Sequence, residues 1–330
     1  MMTAAQRSAG ESPEIVTVGE ALMQLTPPAG KRLTSAQMVH LHTAGAEVNV
    51  AIALAQLGHR VAFISRLGDD PFGERILQEL IQAGVDVSMI SREMSRPTGV
   101  YFKDHGGTRT GMYYYREGSA ATMIGPQDVA PALAGPKLIH ATGITAALGH
   151  DCAALLDQLV HAAPGSGSSV SFDVNYRSAL WSREQAGPVL LRLARCSQIV
   201  FVGCDEAAVL WGTKNADDIR ELMPQVSRLV VKDSAAPAHS FTSGATVIVP
   251  ALPVRVVEAV GAGDAFAAGY LSAVLRGMDE RIALRWAHLL AATTVLTVAD
   301  HAAPPTHEML VAAAHLDDEA WARGDLLDRS

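Results

Sequence analysis

Cysteine is scarce in this chain, and the three that occur, Cys152, Cys196 and Cys204, form no CxxC pair. Small secreted scaffolds and cysteine-based zinc sites need several cysteines at short spacings. The sequence therefore argues against a disulfide framework and against a zinc–cysteine site. It predicts a protein of the reducing cytoplasm.

Charged residues make up only 18% of the chain, and the 34 acidic residues against 26 basic ones give a net charge of -8. Nucleic acids and anionic membranes are bound by basic surfaces, so we expect neither as a partner. An anionic substrate would need local arginines.

No apolar run approaches the ~18 residues that span a bilayer, and residues 1–14 lack the apolar core of a signal peptide.

Several motifs of nucleotide-binding and hydrolytic enzymes are missing. There is no GxxxxGK[ST] loop, no HRD or DFG triplet, no GxSxG and no HExxH. A GxGxxG motif is incomplete, because Phe266 stands where its third glycine would be. These absences argue against P-loop proteins, protein kinases, α/β hydrolases, zinc proteases and nicotinamide-dependent oxidoreductases.

What is present is an apolar content of 49% and an alternation of short β-branched segments with amphipathic ones. The first predicted units are a strand at 15–19, a helix at 46–57 and a strand at 60–65, and the pattern continues to a strand at 254–257 and a helix at 262–276. This alternation predicts an α/β fold with a mainly parallel central sheet flanked by helices. We expect residues 1–13 to be a loose tail and 14–330 to form one domain.

One tyrosine-rich region breaks the alternation. Segments 98–104 and 109–116, on either side of His105-Gly106-Gly107, predict an antiparallel hairpin. Together with residues about 22–43, we interpret this region (98–116) as a small β lid over one edge of the sheet. An ordinary surface hairpin is the alternative.

The most informative stretch runs from Val256 to Gly269. A glycine turn that opens a helix directs backbone N–H groups and the positive end of the helix dipole at one point, where anions bind. Gly261 and Gly263 would let a phosphate approach, and Asp264 could accept a proton from an incoming hydroxyl. The dipole favours ionised Asp264, so we expect a carboxylate at neutral pH. An aspartate that only caps the helix is the alternative.

Three other places carry polar residues suited to a ligand. Residues 44–49 form a loop-to-helix junction where N–H groups and the Asn49 amide could hold hydroxyls. Asn175 and Arg177 follow a buried strand, and open α/β sheets bind ligands beyond the carboxyl ends of strands. Arg116, next to three tyrosines, could present its guanidinium to a carboxylate.

Together these segments resemble the ribokinase-like (PfkB) family of sugar kinases, from about Val16 to the C-terminal helices. Residues 261–264 are similar to the family's C-terminal signature. Residues 45–49, Leu57-Gly58 and 66–73 are similar to its N-terminal signature. The resemblance implies the ribokinase-like fold and the transfer of a phosphoryl group to a sugar hydroxyl.

Within the family, residues 114–120 and 173–181 are most similar to 2-keto-3-deoxygluconate kinases. The resemblance thus implies that ATP phosphorylates a sugar acid, most specifically 2-keto-3-deoxygluconate at its 6-hydroxyl. Fructokinase, 5-dehydro-2-deoxygluconate kinase and a non-catalytic sugar or nucleotide sensor are the alternatives. The resemblance also implies Mg²⁺, allows a monovalent cation, and implies a homodimer formed through the lid.

The resemblance also implies a role for each site residue. Substrate would be bound by Gly45, Asn49, Tyr101, Tyr114, Arg116 and Arg177, with both arginines on its carboxylate. Asp264 would be the general base beside Gly261, Ala262 and Gly263, which hold the moving phosphate. Nucleotide would be bound by Asn175, Lys232, Ser234, Gly261, Gly263 and His288, and Glu206 would hold the magnesium ion through water.

The chain departs from the family pattern at four places. Ala44 replaces the first of two glycines, and Glu258 stands where the C-terminal signature begins with aspartate. Of an Asn-x-x-Glu pattern only Glu206 is kept, and residues 233–237 replace a glycine-containing loop after Lys232. These departures put the magnesium–water network and the nucleotide preference in question.

Overall fold

The computed structural model describes residues 12–28, 30–104, 111–234, 236–296 and 304–324. The strands are β1 (Ile15–Val18), β2 (Leu22–Thr26), β3 (His40–Ala44), β4 (Val61–Gly68), β5 (Ile90–Glu93), β6 (Val100–Asp104), β7 (Gly111–Tyr115), β8 (Leu138–Thr142), β9 (Ser169–Asp173), β10 (Ile199–Gly203), β11 (Arg228–Lys232), β12 (Ala238–Phe241) and β13 (Thr246–Val249).

The helices are α1 (Ala46–Gln56), α2 (Pro71–Gln82), α3 (Val129–Ala132), α4 (Gly143–Ala147), α5 (His150–Ala162), α6 (Arg183–Cys196), α7 (Cys204–Trp211), α8 (Ala216–Leu222), α9 (Ala262–Leu275), α10 (Glu280–Val295), α11 (His307–His315) and α12 (Asp318–Arg323). Short 3-10 turns lie at Ala120–Met123, Pro126–Asp128 and Ala163–Ser166. None of the described helices combines the length and the apolar character needed to cross a membrane.

The large sheet has nine strands in the order β13-β12-β11-β10-β9-β8-β1-β4-β5. Every pairing from β5 to β11 is parallel, and only β12 and β13 add antiparallel pairings at one edge. The strands β1, β10 and β11 consist mainly of Val, Ile, Leu and Phe. Such a composition is expected because parallel strands are buried on both faces. The predicted mainly parallel sheet is confirmed.

Helices cover both faces of this sheet. On one face Phe63 and Phe201 pack in a buried cluster with Tyr270 of α9 and Trp286 of α10. On the other face Phe172 packs with apolar residues of α5 and α6, among them Leu155 and Leu190. The chain therefore has a three-layer α/β core, and the carboxyl ends of its parallel strands lie at one edge.

A second, four-stranded sheet has the order β3-β2-β6-β7. Strands β2 and β6 are parallel, while β2 with β3 and β6 with β7 are antiparallel. Its strands fall in the segments predicted as the lid, and this sheet is the small β lid of the expected fold. The predicted turn at His105-Gly106-Gly107 and residues 1–11 of the predicted tail lie outside the described residues.

The strand predicted at Val254–Val257 is wrong. Among the described residues this segment forms no strand; instead the N–H of Val257 donates to the carbonyl oxygen of Val295, at the end of α10, at 2.8 Å. Val256 and Val257 are more than half exposed, at 58% and 57%. β-Branched residues fit a pleated, half-buried surface, and this largely exposed segment does not lie on one.

Four strands or α-helices were not predicted, namely β5, α3, α4 and α6. Helix α6 begins at a Ser182–Gln185 capping box, yet it contains Pro188 in its second turn. A proline inside a helical pattern normally indicates a boundary. Packing of Leu190 and Leu193 in the core outweighs that local preference.

Helices α9 and α10 pack closely at Gly269. A Cβ atom on Gly269 would lie 2.6 Å from the carbonyl oxygen of Trp286 and 3.0 Å from the Cα of Ala287. Both are backbone atoms, so they cannot move aside as a flexible side chain would. Glycine at this position therefore sets the position of α9, whose first turn carries Asp264.

We predict that Gly269→Ala lowers the free energy of unfolding by about 1–3 kcal/mol, as overpacking of a core does. Chemical denaturation monitored by circular dichroism measures this change. Gly165→Ala is the matched control, because a Cβ there meets no atom within 4 Å, and it should change stability by no more than about 0.5 kcal/mol. Equal stability of the two variants would contradict this account of the α9–α10 contact.

Candidate active site

A polar cavity of about 580 Å³ lies where the carboxyl ends of β9, β10 and β11 meet the lid and the first turns of α1 and α9. Among the residues that line it are the predicted site residues Gly45, Asn49, Tyr101, Tyr114, Arg116, Asn175, Arg177, Glu206, Lys232, Ser234, Gly261, Gly263 and Asp264. The topology therefore gathers these residues from distant parts of the chain around one space.

An apolar cavity of about 610 Å³ adjoins it. Its walls include Val254, Val256 and Phe266, together with the predicted nucleotide residue His288. The Nε2 of His288 lies 3.1 Å from the carbonyl oxygen of Val249, and burial lowers the pKa of His288 to about 4, so the ring is neutral. Such a space suits a flat, weakly polar ring system better than a charged group.

The two cavities meet at the glycine turn. Lys232, Ser234, Ala259 and Gly263 line both of them, and Ala262 lines the apolar one. A ligand spanning both spaces would therefore pass the N-terminus of α9. The predicted catalytic and nucleotide residues are all found on one of these two cavities.

The turn presents the N-terminus of α9 without a side-chain cap. Gly261 is its N-cap, with φ of 82°, a left-handed conformation that favours glycine. The first N–H groups of a helix have no partner within it, and they point along the positive end of the dipole. A phosphate at this position would receive those hydrogen bonds.

Asp264 lies in the first turn of α9, and its Oδ2 accepts a hydrogen bond from Nδ2 of Asn49 in α1 at 2.8 Å. Burial raises the pKa of Asp264 from its ordinary value of 3.8 to about 7, and nearby Asp173 acts in the same direction. Asn49, Arg177 and Lys232 oppose that rise. The helix dipole thus does not keep Asp264 fully ionised at neutral pH as expected, because desolvation outweighs it.

A buried charge pair lies beside Asp264. Lys232 Nζ donates to Oδ2 of Asp173 at 2.7 Å. Burial would lower the pKa of Lys232, but Asp173 and then Glu206 outweigh it, and the pKa is raised. Lys232 is therefore an ammonium ion at the junction of the two cavities.

Glu206 lies in the first turn of α7, and its Oε2 accepts from the N–H of Gly203 at 2.9 Å. Burial, followed by the charge of Asp173, raises the pKa of Glu206. Within the described residues, no three Asp, Glu, His or Cys side chains are grouped so as to ligate a metal ion directly. The Oδ1 of Asp173 is buried without a hydrogen-bond partner, and an acidic pair of this kind fits a hydrated Mg²⁺ between phosphates.

Asn175 and Ser234 have positive φ angles, 40° and 47°, and no other described residue except glycine does. Such conformations are unfavourable for these residue types and concentrate at functional sites. Both residues line the polar cavity, and both were predicted to bind nucleotide. The strain is consistent with backbone held in place for a ligand.

Arg116 forms an ion pair with Glu20, a residue that follows β1 and whose side chain is 1% exposed. The other carboxylate oxygen of Glu20 accepts from the hydroxyl of Ser119 at 2.5 Å. Tyr114 stacks on Tyr101 with ring centroids 5.1 Å apart, and Arg116 lies over Tyr114. The predicted cation is therefore present at the cavity, but its charge is compensated by Glu20.

Three acidic residues that line the cavity, Glu20, Glu47 and Asp173, were not among the predicted site residues. Glu47 Oε1 accepts from the hydroxyls of Thr142 and Thr145 at 2.7 and 2.6 Å, and burial raises its pKa. Glu47 and Asp173 lie within segments 44–49 and 173–181, but neither residue was assigned a role. The available signal was position, because Glu20 and Asp173 lie at or just beyond the carboxyl ends of parallel strands.

The arrangement has a recognisable chemistry. A carboxylate with a pKa near neutrality stands beside an anion-binding helix N-terminus, between a polar cavity and an apolar one. These features define a phosphotransferase that brings a nucleotide and a small polar acceptor together.

Comparison with known proteins identifies the family. The model of the pfkB family carbohydrate kinases matches residues 12–307. The chain belongs to this family, and it is therefore a sugar kinase with the ribokinase-like fold. This confirms the resemblance inferred from the two signatures.

Individual relatives agree with this assignment. A 2-dehydro-3-deoxygluconokinase of Thermoproteus tenax is 34% identical over 302 residues, which cover 88% of this chain and 91% of the relative. The crystal structure of a PfkB protein from Polaromonas sp. JS666 is 32% identical, with a TM-score of 0.83 over 91% of this chain and 100% of that one. A fructokinase from Xylella fastidiosa, solved with bound ATP, is 25% identical, with a TM-score of 0.81 over 92% and 98%.

The raised pKa of Asp264 carries a cost in stability. Because its pKa is higher in the folded chain, at about 7, than its ordinary 3.8, folding is favoured while Asp264 is protonated, and that contribution is lost as the pH rises from about 4 through 7. We predict that Asp264→Asn raises the free energy of unfolding at pH 8 by roughly 1 kcal/mol or more.

Denaturation curves at several pH values test this. The difference between Asp264→Asn and wild type should vanish near pH 4 and grow up to about pH 7. The exposed Asp217, replaced by asparagine, is the control and should change stability by no more than about 0.5 kcal/mol at each pH. A destabilised Asp264→Asn at pH 8 would contradict the desolvation argument.

Proposed function

We propose that this protein uses ATP to phosphorylate a hydroxyl of a sugar acid, most specifically the 6-hydroxyl of 2-keto-3-deoxygluconate. The proposal depends on the position of Asp264. This residue lies in the first turn of α9, where the polar and apolar cavities meet. The name of the Thermoproteus tenax relative supports this substrate.

The polar cavity would hold the sugar. Gly45 and Asn49 at the start of α1 offer an N–H group and an amide to hydroxyls, and Tyr101 with Tyr114 forms an aromatic wall. Asn49 already holds one oxygen of Asp264, so a hydroxyl bound beside Asn49 lies near the base. This geometry selects one hydroxyl of the sugar for attack.

Asp264 would take the proton of that hydroxyl. With a pKa of about 7 it is deprotonated in roughly half of the molecules at neutral pH and can still bind a proton there, as a general base requires. The amides at Gly261, Ala262 and Gly263, together with the ammonium of Lys232, would stabilise negative charge on the moving phosphoryl group.

The apolar cavity would hold the adenine, with His288 in its wall and Ser234 near the phosphates. Asn175, which lines the polar cavity, would also contact the nucleotide. Mg²⁺, held through water by Glu206 and by Asp173, would neutralise charge between the β- and γ-phosphates. The acidic side chains present fit that ion, since Asp173 keeps one buried oxygen without a protein partner.

Arg177 is the better candidate for the substrate carboxylate. Its side chain is 51% exposed, donates to the carbonyl oxygen of Tyr176 at 3.0 Å and lies 3.7 Å from Glu206. Arg116 is already compensated by Glu20. The pairing of Arg116 with Glu20 supports a second candidate function, that of a fructokinase, because a neutral sugar does not need an uncompensated cation in the cavity.

The lid would also form a homodimer. On β7, Tyr113 and Tyr115 point to the same side, and they are 52% and 67% exposed. Met38, which precedes β3, is 67% exposed. Exposed aromatic and methionine side chains on a small sheet are typical of a surface covered by a partner.

We predict that Asp264→Asn lowers kcat by roughly 10²-fold or more while the affinities for sugar and ATP are retained. In wild type, kcat/KM should rise with pH through about 7, because the deprotonated carboxylate is the active form. A coupled assay of ADP production measures both. Full turnover by the variant would require a different base.

We also predict that Arg177→Ala raises KM for 2-keto-3-deoxygluconate by roughly 10- to 100-fold, the loss expected for a hydrogen-bonded charge pair. Turnover of fructose, if present, should change little. Arg183→Ala is the control, because Arg183 is exposed, pairs with Glu184 and does not line the cavity. An unchanged kcat/KM for the sugar acid would remove the carboxylate role of Arg177.

A further inference from the structure

A buried ion pair joins the lid to the segment that leads into the glycine turn. The side chain of Lys103, on lid strand β6, is 0% exposed, and its Nζ lies 3.2 Å from Oε2 of Glu258, which is 10% exposed. Removing two charges from water is costly, so such a pair differs from ordinary surface pairing. Glu258 is also the residue that departs from the family's aspartate.

Glu258 contacts the turn with its other carboxylate oxygen. The Oε1 atom accepts the N–H groups of Ala259 and Val260 at 3.0 and 3.3 Å. Ala259 and Val260 line the polar cavity and lead directly into Gly261. One carboxylate thus binds the lid through one oxygen and orders the start of the turn through the other.

Strand β6 contributes one residue to the wall of the polar cavity and one residue to the support of the glycine turn. Tyr101 and Lys103 are two residues apart, so their side chains lie on the same face of the strand. Tyr101 lines the polar cavity and stacks on Tyr114, whereas Lys103 reaches Glu258. Tyr101 at the wall of the polar cavity and Lys103 beside the phosphate turn therefore belong to one strand.

The charge of Lys103 also matters. A carboxylate close to the N-terminus of α9 would repel a phosphate bound there, and in a partly dehydrated site this repulsion is strong. The ammonium of Lys103, at 3.2 Å, compensates it. Loss of Lys103 would remove this compensating charge from the carboxylate beside the anion site.

We propose that Lys103 is a positioning residue for phosphoryl transfer, which holds and neutralises Glu258 from the lid so that the turn amides are set for the transferring phosphate. This inference rests on the proposed kinase reaction. It gives the glutamate at position 258 a function: the longer side chain contacts the lid lysine and the turn at once.

The test compares Lys103→Met, Lys103→Arg and the double variant Lys103→Met with Glu258→Gln, with Lys214→Met as the control for loss of an exposed lysine. Four kinds of measurement are made on each protein. They are the unfolding midpoint, kcat and KM for 2-keto-3-deoxygluconate, the affinity for ADP, and the affinity for the non-hydrolysable ATP analogue adenylyl imidodiphosphate.

We expect Lys103→Met to lower kcat and the affinity for the analogue by about tenfold or more, while KM for the sugar and the affinity for ADP stay within about twofold. Lys103→Arg should restore most of both losses, because it keeps the charge. Lys214→Met should match wild type. A merely structural lysine would lower the unfolding midpoint and leave kcat of the folded protein unchanged.

The double variant keeps the inference testable if Lys103→Met does not fold, because a buried pair can be replaced as a whole. It should fold and remain at least about fivefold below wild type in kcat, since lid and turn are no longer joined. Folded single or double variants with kcat and analogue affinity within twofold of wild type would overturn the inference.

Failure of the proposed function gives a different result. If wild type phosphorylates no sugar acid or ketose, the kinase proposal falls. The comparison of analogue with ADP affinity then still decides whether Lys103 and Glu258 set the turn for a terminal phosphate. Equal losses for both nucleotides, or none, would contradict that role.

Discussion

The hydrogen bond from Asn49 to Asp264, 2.8 Å long, connects two helix N-termini that are 215 positions apart in the chain. In the proposed reaction α1 carries the sugar side of the site and α9 the phosphate side, so this contact would set the distance between the acceptor and the proposed base. The same contact accounts for the electrostatics of Asp264, because it stabilises the ionised form against a burial that raises the pKa to about 7. A base with this pKa can both accept and release a proton near neutrality.

Around that contact, acidic side chains of the site are compensated by cations or by hydrogen-bond donors. Asp173 is compensated by Lys232, Glu20 by Arg116, and Glu47 by hydroxyls of Thr142 and Thr145. In a chain of net charge -8, an anionic substrate can be bound only where a cation is left available to it. The half-exposed Arg177 fits that condition better than Arg116.

The departures from the family pattern have physical counterparts in the fold. Glu258 contacts Lys103 of the lid and the amides that lead into the turn. Ser234, in the altered loop after Lys232, adopts a φ of 47° and lines both cavities. Local sequence changes at the phosphate site are therefore matched by side chains and backbone that come from elsewhere in the chain.

The sequence by itself determined the parallel α/β core and the glycine turn, because periodicity, β-branched segments and positive-φ glycines are local properties. It also indicated most of the cavity-lining residues proposed for the site, but not the acidic residues Glu20, Glu47 and Asp173. It failed at 254–257, where exposed β-branched residues join no described strand, and at α6, where packing of Leu190 and Leu193 outweighs Pro188.

Only the tertiary structure decided which charges face each other. Glu20 with Arg116, Asp173 with Lys232 and Glu258 with Lys103 are far apart in sequence, and no local pattern pairs them. The pKa of Asp264 depends on the same long-range packing, since desolvation by the surrounding elements outweighs the dipole of its own helix.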